Sequence, residues 1–261
     1  MRSLSIAATG MLAQQLNVEV ISNNIANLNT TAFKSQRAEF QDLLYQNERN
    51  VGANSSDTGT LVPVGVQIGT GVKAAAVYRI TGQGNLVNTN NTLDLAIQGR
   101  GFFQIEMPDG TTSYTRAGSF QLSNTGEIVT ADGFVVQPGI TVPQNTVNIT
   151  VNGNGQVLAQ IAGQIQPQTV GQLQLVNFPN EAGLAAQGNN LLTETPASGA
   201  PVTGNPGSTA FGSIQQGFLE TSNVNVVSEI TNLITAQRAY EMNSKVIQTS
   251  DQMMSTLNQI Q

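Results

Sequence analysis

VVSEITNLITAQRAYEMNSKVIQTSDQMMSTLNQI, the stretch Val226–Ile260, decides the architecture. Stepped in sevens it reads Val226, Leu233, Tyr240, Ile247, Met254, an apolar seam at heptad spacing. Val227, Ile230 and Ile234 widen the seam early, and Val246, Met253, Leu257 and Ile260 widen it late. At about 1.5 Å per residue such a helix runs roughly 50 Å. It cannot bury that seam alone, so the spacing demands a partner helix.

The opposite end of the chain offers one. Leu4, Ala7, Met11, Gln14, Val18, Ile21, Ile25 and Leu28 follow the same a and d spacing, with only Gln14 polar. Ile6, Leu12, Leu16 and Val20 lie off that seam, and the only charges before Phe33 are Arg2 and Glu19. A coiled coil exposed to water carries charged flanks; a helix apolar or amide-bearing all round is buried all round. Neighbouring copies of the chain could cover it. The apolar run after Arg2 is broken by Thr9 and Gly10, and the heptad continues beyond any cleavage point, so no cleaved leader is expected. No apolar run approaches the ~20 residues of a membrane span.

Composition narrows the function. The chain has 261 residues, a formal charge of −6, 10% charged residues, and neither Cys nor His. An acidic, sparsely charged chain is a poor nucleic-acid binder but suits packing against copies of itself. Lacking His and Cys, it lacks the commonest general base, the commonest zinc ligand and any thiol chemistry. Glu106, Asp109, Glu127 and Asp132 fall in or beside turn signals, where Asp is expected for backbone reasons. No catalytic, metal-binding or cofactor-binding residues are expected, and no enzyme activity.

Between the helices the pattern changes period. GVQIGTGV (65–72) and AAVYRI (75–80) alternate or run apolar. Short strands then follow: 102–107, 111–115, 119–122, 127–130, 134–137, 147–151 and 173–178. Pro108-Asp109-Gly110, Asn124-Thr125-Gly126, Asp132-Gly133 and Asn152-Gly153 mark hairpins between them. The fold class is α+β. Terminal helices (1–32 and 222–261) pair as a coiled-coil-like layer, joined by connecting segments (33–70 and 210–221) to an inserted, mostly antiparallel β domain (71–209). Residues 33–44 fit either helix or extended chain. From Asn47 to Val62 Asn, Gly, Ser and Thr dominate, as in a long surface loop. Pro196, Pro201 and Pro206 mark a second loop or linker.

Four strings carry a resemblance. ISNNIANLNTTAFK (21–34), with Asn23, Asn24, Asn27, Thr30, Phe33 and Lys34, resembles the N-terminal signature of bacterial flagellar rod and hook proteins. Read alone, it is a helix end followed by a turn. The family has Gly before Phe-Lys; this chain has Ala32, which costs about 1 kcal/mol if that position needs φ > 0. DLAIQGRGFFQI (94–105), with Asp94, Gly99, Gly101, Phe102 and Phe103, matches the same family. It lacks the third glycine of a dinucleotide loop, and reads as a tight bend with Phe102 or Phe103 anchoring a core. GFLETSNVN (217–225), with Glu220, Ser222 and Asn223, and AQRAYEMNSK (236–245), with Arg238, Tyr240 and Glu241, resemble the C-terminal signature. Ser222, Asn223 and Asn225 are candidate helix caps. Arg238 and Glu241 either pair or form a solvated face. Residues 45–63 (YQNERNVGANSSDTGTLVP) are similar to the long segment of distal-rod members of the family, which hook members lack.

The resemblance implies a distal-rod subunit that polymerises helically with copies of itself into a hollow drive shaft crossing the periplasm. It implies proximal rod and hook proteins as axial partners, bushing rings at the peptidoglycan and outer membrane, and uncleaved export through the flagellar type III apparatus. The helix seams are then the assembly surfaces, and the ends of a lone monomer are expected to be disordered. A hook or proximal rod protein is the alternative within the family. A secreted β-rich adhesin or glycan-binding module with a coiled-coil stalk is the alternative outside it.

Overall fold

The computed structural model describes residues 2–49 and 64–260. Its order is α1 (Arg2–Ala26), a run of short strands, and α2 (Val226–Ile260), which makes the chain α+β. It divides into two compact units. The first holds residues 1–26, 36–78 and 225–261, and the second holds 27–35 and 79–224.

In the first unit α1 and α2 pack on each other. With them go β1 (Gln36–Asp42), β2 (Tyr45–Arg49), β3 (Val66–Gly69) and β4 (Val72–Arg79). β1 pairs with β4, and β2 pairs antiparallel with β3, Tyr45 opposite Gly69. The ambiguous stretch after Phe33 is therefore extended. Residues 47–49, read above as the start of a long loop, belong to β2, and the rest of the distal-rod-type segment, residues 50–63, lies outside the described residues. The unit thus takes in residues 71–78, which alternation alone grouped with the β-rich domain; their strand pairs with β1. Asn24 closes the helix end onto β1. Its Nδ2 donates to Gln36 O and its Oδ1 accepts from Gln36 N, both at 2.8 Å. Asn225 is the cap of α2, its Oδ1 accepting from Ser228 N at 3.2 Å.

The second unit holds β5 (Leu86–Asn88), β6 (Leu95–Gln98), β7 (Phe102–Glu106), β8 (Thr112–Thr115), β9 (Gln121–Leu122), β10 (Ile128–Val129) and β11 (Val135–Val136). It continues with β12 (Thr146–Val151), β13 (Gln156–Ile161), β14 (Gln168–Gln172), β15 (Leu175–Asn177), β16 (Ala185–Gly188) and β17 (Leu191–Thr193). β18 (Val202–Gly204), β19 (Ser213–Gln216) and β20 (Phe218–Glu220) complete it. The main sheet runs β16-β17-β8-β7-β11-β10-β9, with β15 beside the first half of β7 and β18 beside β15. The proline-rich stretch thus contributes a strand to the sheet. β12-β13-β14 form a separate sheet, β19 pairs with β6, and β20 pairs with β5.

Phe102 and Phe103 both anchor cores, because neighbours on a strand point to opposite faces. Phe103 meets Phe120 edge-on at 5.0 Å in the cluster with Leu95, Ile105, Ile128 and Leu175. Phe102 meets Phe178 at 6.1 Å in a second cluster with Tyr114, Val176 and Leu184. The sheet is buried on both sides here, at about 1.5–3 kcal/mol for each large side chain removed from water.

One turn design builds four of the hairpins. Met107, Ser123, Thr130 and Asn152 each donate their N–H to the carbonyl four residues on. Each carbonyl accepts from the glycine three residues on, Gly110, Gly126, Gly133 or Gly155, at φ between 80° and 85°. This is a three-residue loop closed by a left-handed glycine. In the Asn152 turn the left-handed residue is therefore Gly155, not the Gly153 that the Asn152-Gly153 signal pointed to.

Candidate functional site

Two arrangements collect the residues singled out by sequence: a helix pair in the first unit and a buried charge node in the second.

Three contacts fix the helix pair. Ser3 Oγ lies 3.3 Å from Ser250 Oγ. A Cβ built on Gly10 would come 2.9 Å from Asn243 Nδ2. Asn24 Nδ2 lies 3.4 Å from Glu229 Oε2. One heptad forward on α1 matches one heptad back on α2, then two match two, so the helices run antiparallel in a heptad register. In that register Asn17 falls opposite Ala236, which is only 2% exposed. The heptad of α2 that meets α1 is Glu229, Ala236, Asn243, Ser250. The expected seam of Val226, Leu233, Tyr240, Ile247 and Met254 stands to one side of it. Leu233 and Ile247 are half-buried, while Val226, Tyr240 and Met254 are exposed. On α1, Ile21 is buried and Leu4, Met11, Val18 and Ile25 are half-buried. Leu28 is half-buried too, in the turns after α1 has ended. The physical reason is size. Ser, Gly, Ala and Asn let the backbones approach closely, and this pushes the larger apolar rows to the flanks. Sequence reading followed the large residues and missed Gly10, Ala236 and Asn243. A small residue every seventh position was the available signal.

α1 and α2 thus pack on each other, and α2 keeps large apolar side chains exposed along its length. Val227, Ile230, Ile234, Val246 and Met253 are 45–75% exposed. Arg238 and Glu241 form an exposed pair at 3.4 Å on this helix.

The node centres on Glu220, whose side chain is 1% exposed. Its Oε1 accepts from Lys34 Nζ at 2.5 Å and from Gly84 N at 2.8 Å, and its Oε2 accepts from Arg116 Nε at 2.6 Å. Arg116 spends its remaining donors on the bend. Nη1 donates to Gly101 O at 2.8 Å, and Nη2 to Gly99 O at 2.5 Å and Ile97 O at 3.1 Å. Gly99 and Gly101 sit at φ 109° and 137°, which only glycine adopts without strain. Lys34 Nζ also donates to Gly82 O at 2.9 Å.

Backbone bonds join the same residues. Ala32 N donates to Glu220 O at 2.8 Å, and Asn223 N donates to Phe33 O at 3.3 Å. Asn223 Oδ1 accepts from Ser35 N at 2.7 Å, and its Nδ2 donates to Ile80 O and Gly82 O. Ala32 adopts φ 57°, so the position where the resemblance has glycine is left-handed here. Thr30 Oγ1 and Asn27 Oδ1 lie 3.1 Å apart in the turn leading to it. Asp94, also buried, accepts from Thr89 Oγ1 and Asn91 Nδ2, and its carbonyl accepts from Gly217 N. Ser222 Oγ accepts from Val224 N. Asn23, on α1, is exposed.

The charges of the node respond to burial differently. Burial alone would push the Glu220 carboxyl up; the Arg116 charge and the Lys34 and Arg116 hydrogen bonds outweigh it and hold the group below its ordinary range. Burial pulls Lys34 below its ordinary value; the shared Glu220 carboxylate does not restore what desolvation removes, and the nearby Arg116 charge lowers it further. The node ties together chain segments far apart in sequence, Lys34, Gly84, Arg116 and Glu220. Among the described residues no group of three or more His, Cys, Asp or Glu could hold a metal ion. No helix among them is long and apolar enough to cross a membrane. Sequence reading missed Arg116, whose ion-pair partner lies 104 residues away.

The three segments that meet at the node and the helix pair are also those that known families match. Residues 4–34 match the family described as "Flagella basal body rod protein". Residues 96–159 match "Flagellar hook protein FlgE/F/G D1 domain", and residues 215–260 match "Flagellar basal body rod FlgEFG protein C-terminal". The chain is 60% identical over 260 residues to the flagellar basal-body rod protein FlgG of Caulobacter vibrioides, covering 100% of this chain and 99% of the relative. The chain belongs to the flagellar basal-body rod protein family. It is 54% identical to the FlgG protein of Agrobacterium fabrum, with 99% and 98% coverage. It is 50% identical to that of Buchnera aphidicola subsp. Schizaphis graminum, with 99% of each chain covered. In this chain Lys34 of the N-terminal match and Arg116 of the central one both pair with Glu220 of the C-terminal match. The chain is a structural subunit of the flagellar rod.

Proposed function

We propose that this rod subunit polymerises helically with copies of itself into the distal part of the flagellar shaft, its helices forming the shared inner layer. The observation that carries the reading is the set of large apolar side chains that α2 leaves exposed, Val227, Ile230 and Ile234 toward its start and Val246 and Met253 toward its end. Large apolar side chains exposed in such number on one helix mark an interaction surface. A chain with 10% charged residues offers little self-repulsion to a copy docking there. A head-to-tail contact that does not close on itself gives a filament rather than a ring. Torque then passes through many repeated contacts. On this reading the polymer joins proximal rod proteins at one end and the hook at the other. It turns inside the peptidoglycan and outer-membrane rings, and its subunits leave the cell uncleaved through the flagellar type III export apparatus. On this reading the expected seams (Leu4, Met11, Val18, Ile21 and Ile25 on α1, with Leu28 just after it; Val226, Leu233, Tyr240, Ile247 and Met254 on α2) border the contacts between copies.

The test is sedimentation and electron microscopy of the concentrated protein beside its Ile234→Asp variant. The parent chain is expected to form filaments. The variant is expected to remain a monomer with an unchanged circular dichroism spectrum, since Ile234 is 54% exposed and carries little of the monomer's stability. Concentrated parent protein that stays monomeric overturns the reading.

A further inference from the structure

We propose that Asn152 is the site of spontaneous deamidation in this protein, and that Asn154, two residues away in the same turn, is protected. The reaction is a backbone chemistry. The nitrogen of the following residue gives up its proton to solvent base and bonds to the asparagine Cγ. The Cγ–Nδ2 bond breaks and the amide nitrogen leaves as ammonia. Water then opens the resulting succinimide at either carbonyl, giving aspartate or isoaspartate. Glycine in the following position favours the attack, because no Cβ obstructs the approach, and asparagine is thermolabile for this reason.

Four Asx-Gly pairs occur in the chain: Asp109-Gly110, Asp132-Gly133, Asn152-Gly153 and Asn154-Gly155. Three have the attacking nitrogen locked. Gly110 N donates to Met107 O at 2.9 Å, Gly133 N to Thr130 O at 2.9 Å, and Gly155 N to Asn152 O at 2.8 Å. All three glycines are left-handed, at φ 80°, 85° and 83°. Attack requires breaking the turn bond and rotating the peptide out of the conformation that closes the hairpin. Gly155 is buried as well.

Gly153 differs in each respect. It is exposed, its φ lies outside the left-handed region, and no backbone bond from its nitrogen is among those of the described residues. Asn152 is exposed, and its backbone N–H and carbonyl hold the hairpin while its side chain makes no hydrogen bond there. The nucleophile is free and the electrophile is unanchored at this pair alone.

The product perturbs a defined contact. Gly153 O accepts from Ile214 N at 3.0 Å, which fastens the β12–β13 turn to β19. Isoaspartate routes the main chain through the former side chain and adds a methylene before Gly153. Ageing therefore loosens this hairpin from β19 and adds a negative charge.

The experiment is incubation of the full-length protein at mildly alkaline pH and physiological temperature. Peptide mapping by mass spectrometry follows deamidation, and isoaspartyl methyltransferase labelling follows isoaspartate. A parallel sample is held in denaturant. In the denatured chain both Asn-Gly pairs are expected to convert at similar rates. In the folded chain Asn152 is expected to convert about fivefold or more faster than Asn154, the rate ratio for one backbone hydrogen bond opposing the attack. Equal folded-state rates, faster conversion at Asn154, or an Asn152 that converts in denaturant but not when folded each overturn the proposal. Asn152→Ser is expected to remove the isoaspartate label while the strand signal stays intact.

Discussion

Gly10 of α1 faces Asn243 of α2 so closely that a single added carbon would lie 2.9 Å from the Asn243 amide nitrogen. Alanine can be met by rotation of the Asn243 side chain, and it gains helix propensity over glycine. Gly10→Ala is therefore expected to change helix-pair stability by less than about 1 kcal/mol. Gly10→Leu cannot be met by side-chain rotation and is expected to cost about 1–3 kcal/mol. Thermal melting followed at the helical circular dichroism signal separates the two variants.

Ala32 holds a left-handed backbone at φ 57° while its N–H donates to Glu220 O. A Cβ in that region costs roughly 1–2 kcal/mol, part of which glycine returns as unfolded-state entropy. Ala32→Gly is expected to stabilise the second unit by a few tenths to about 1 kcal/mol. A higher urea midpoint with an unchanged slope is the measurement.

Glu220→Gln removes the carboxylate that both Lys34 and Arg116 address. Breaking a buried pair by removing one partner costs about 3–5 kcal/mol, because the remaining charges lose their compensation. Urea unfolding followed at the strand signal should register that loss.

The same carboxylate gives a pH dependence. Its folded pKa is depressed below the ordinary value of 4.5, so the unfolded chain binds the proton more readily. The stabilisation is complete above the ordinary carboxylate range and disappears as pH falls through the lower folded value. The urea midpoint is expected to drop steeply below pH 4.5 in the parent protein, and Glu220→Gln should flatten that drop.

The helices, the α+β class and most strands were legible because period is a local property: seven for α2, two for the strand beginning at Phe102. Pro108-Asp109-Gly110, Asn124-Thr125-Gly126 and Asp132-Gly133 marked three hairpins by their left-handed glycine, and Asn152-Gly153 marked the fourth two residues short of its own. The face of α2 that α1 meets was not legible from apolarity. Contact is governed by how near the backbones come, and Gly10 and Ala236 carry little hydrophobic signal. The first strands hid in the same way, since the burial pattern of β2 is exposed throughout and offers no alternation. Of the node, Lys34, Glu220 and Asn223 came from the resemblance rather than from spacing. Arg116 escaped because a buried ion pair across 104 residues leaves no local trace.

Lys34 precedes the first strands and Glu220 stands just before the last helix, yet the two are bonded directly across 186 residues of chain. That bond closes a loop around nearly the whole β-rich unit, so parting it frees both mouths of the loop at once.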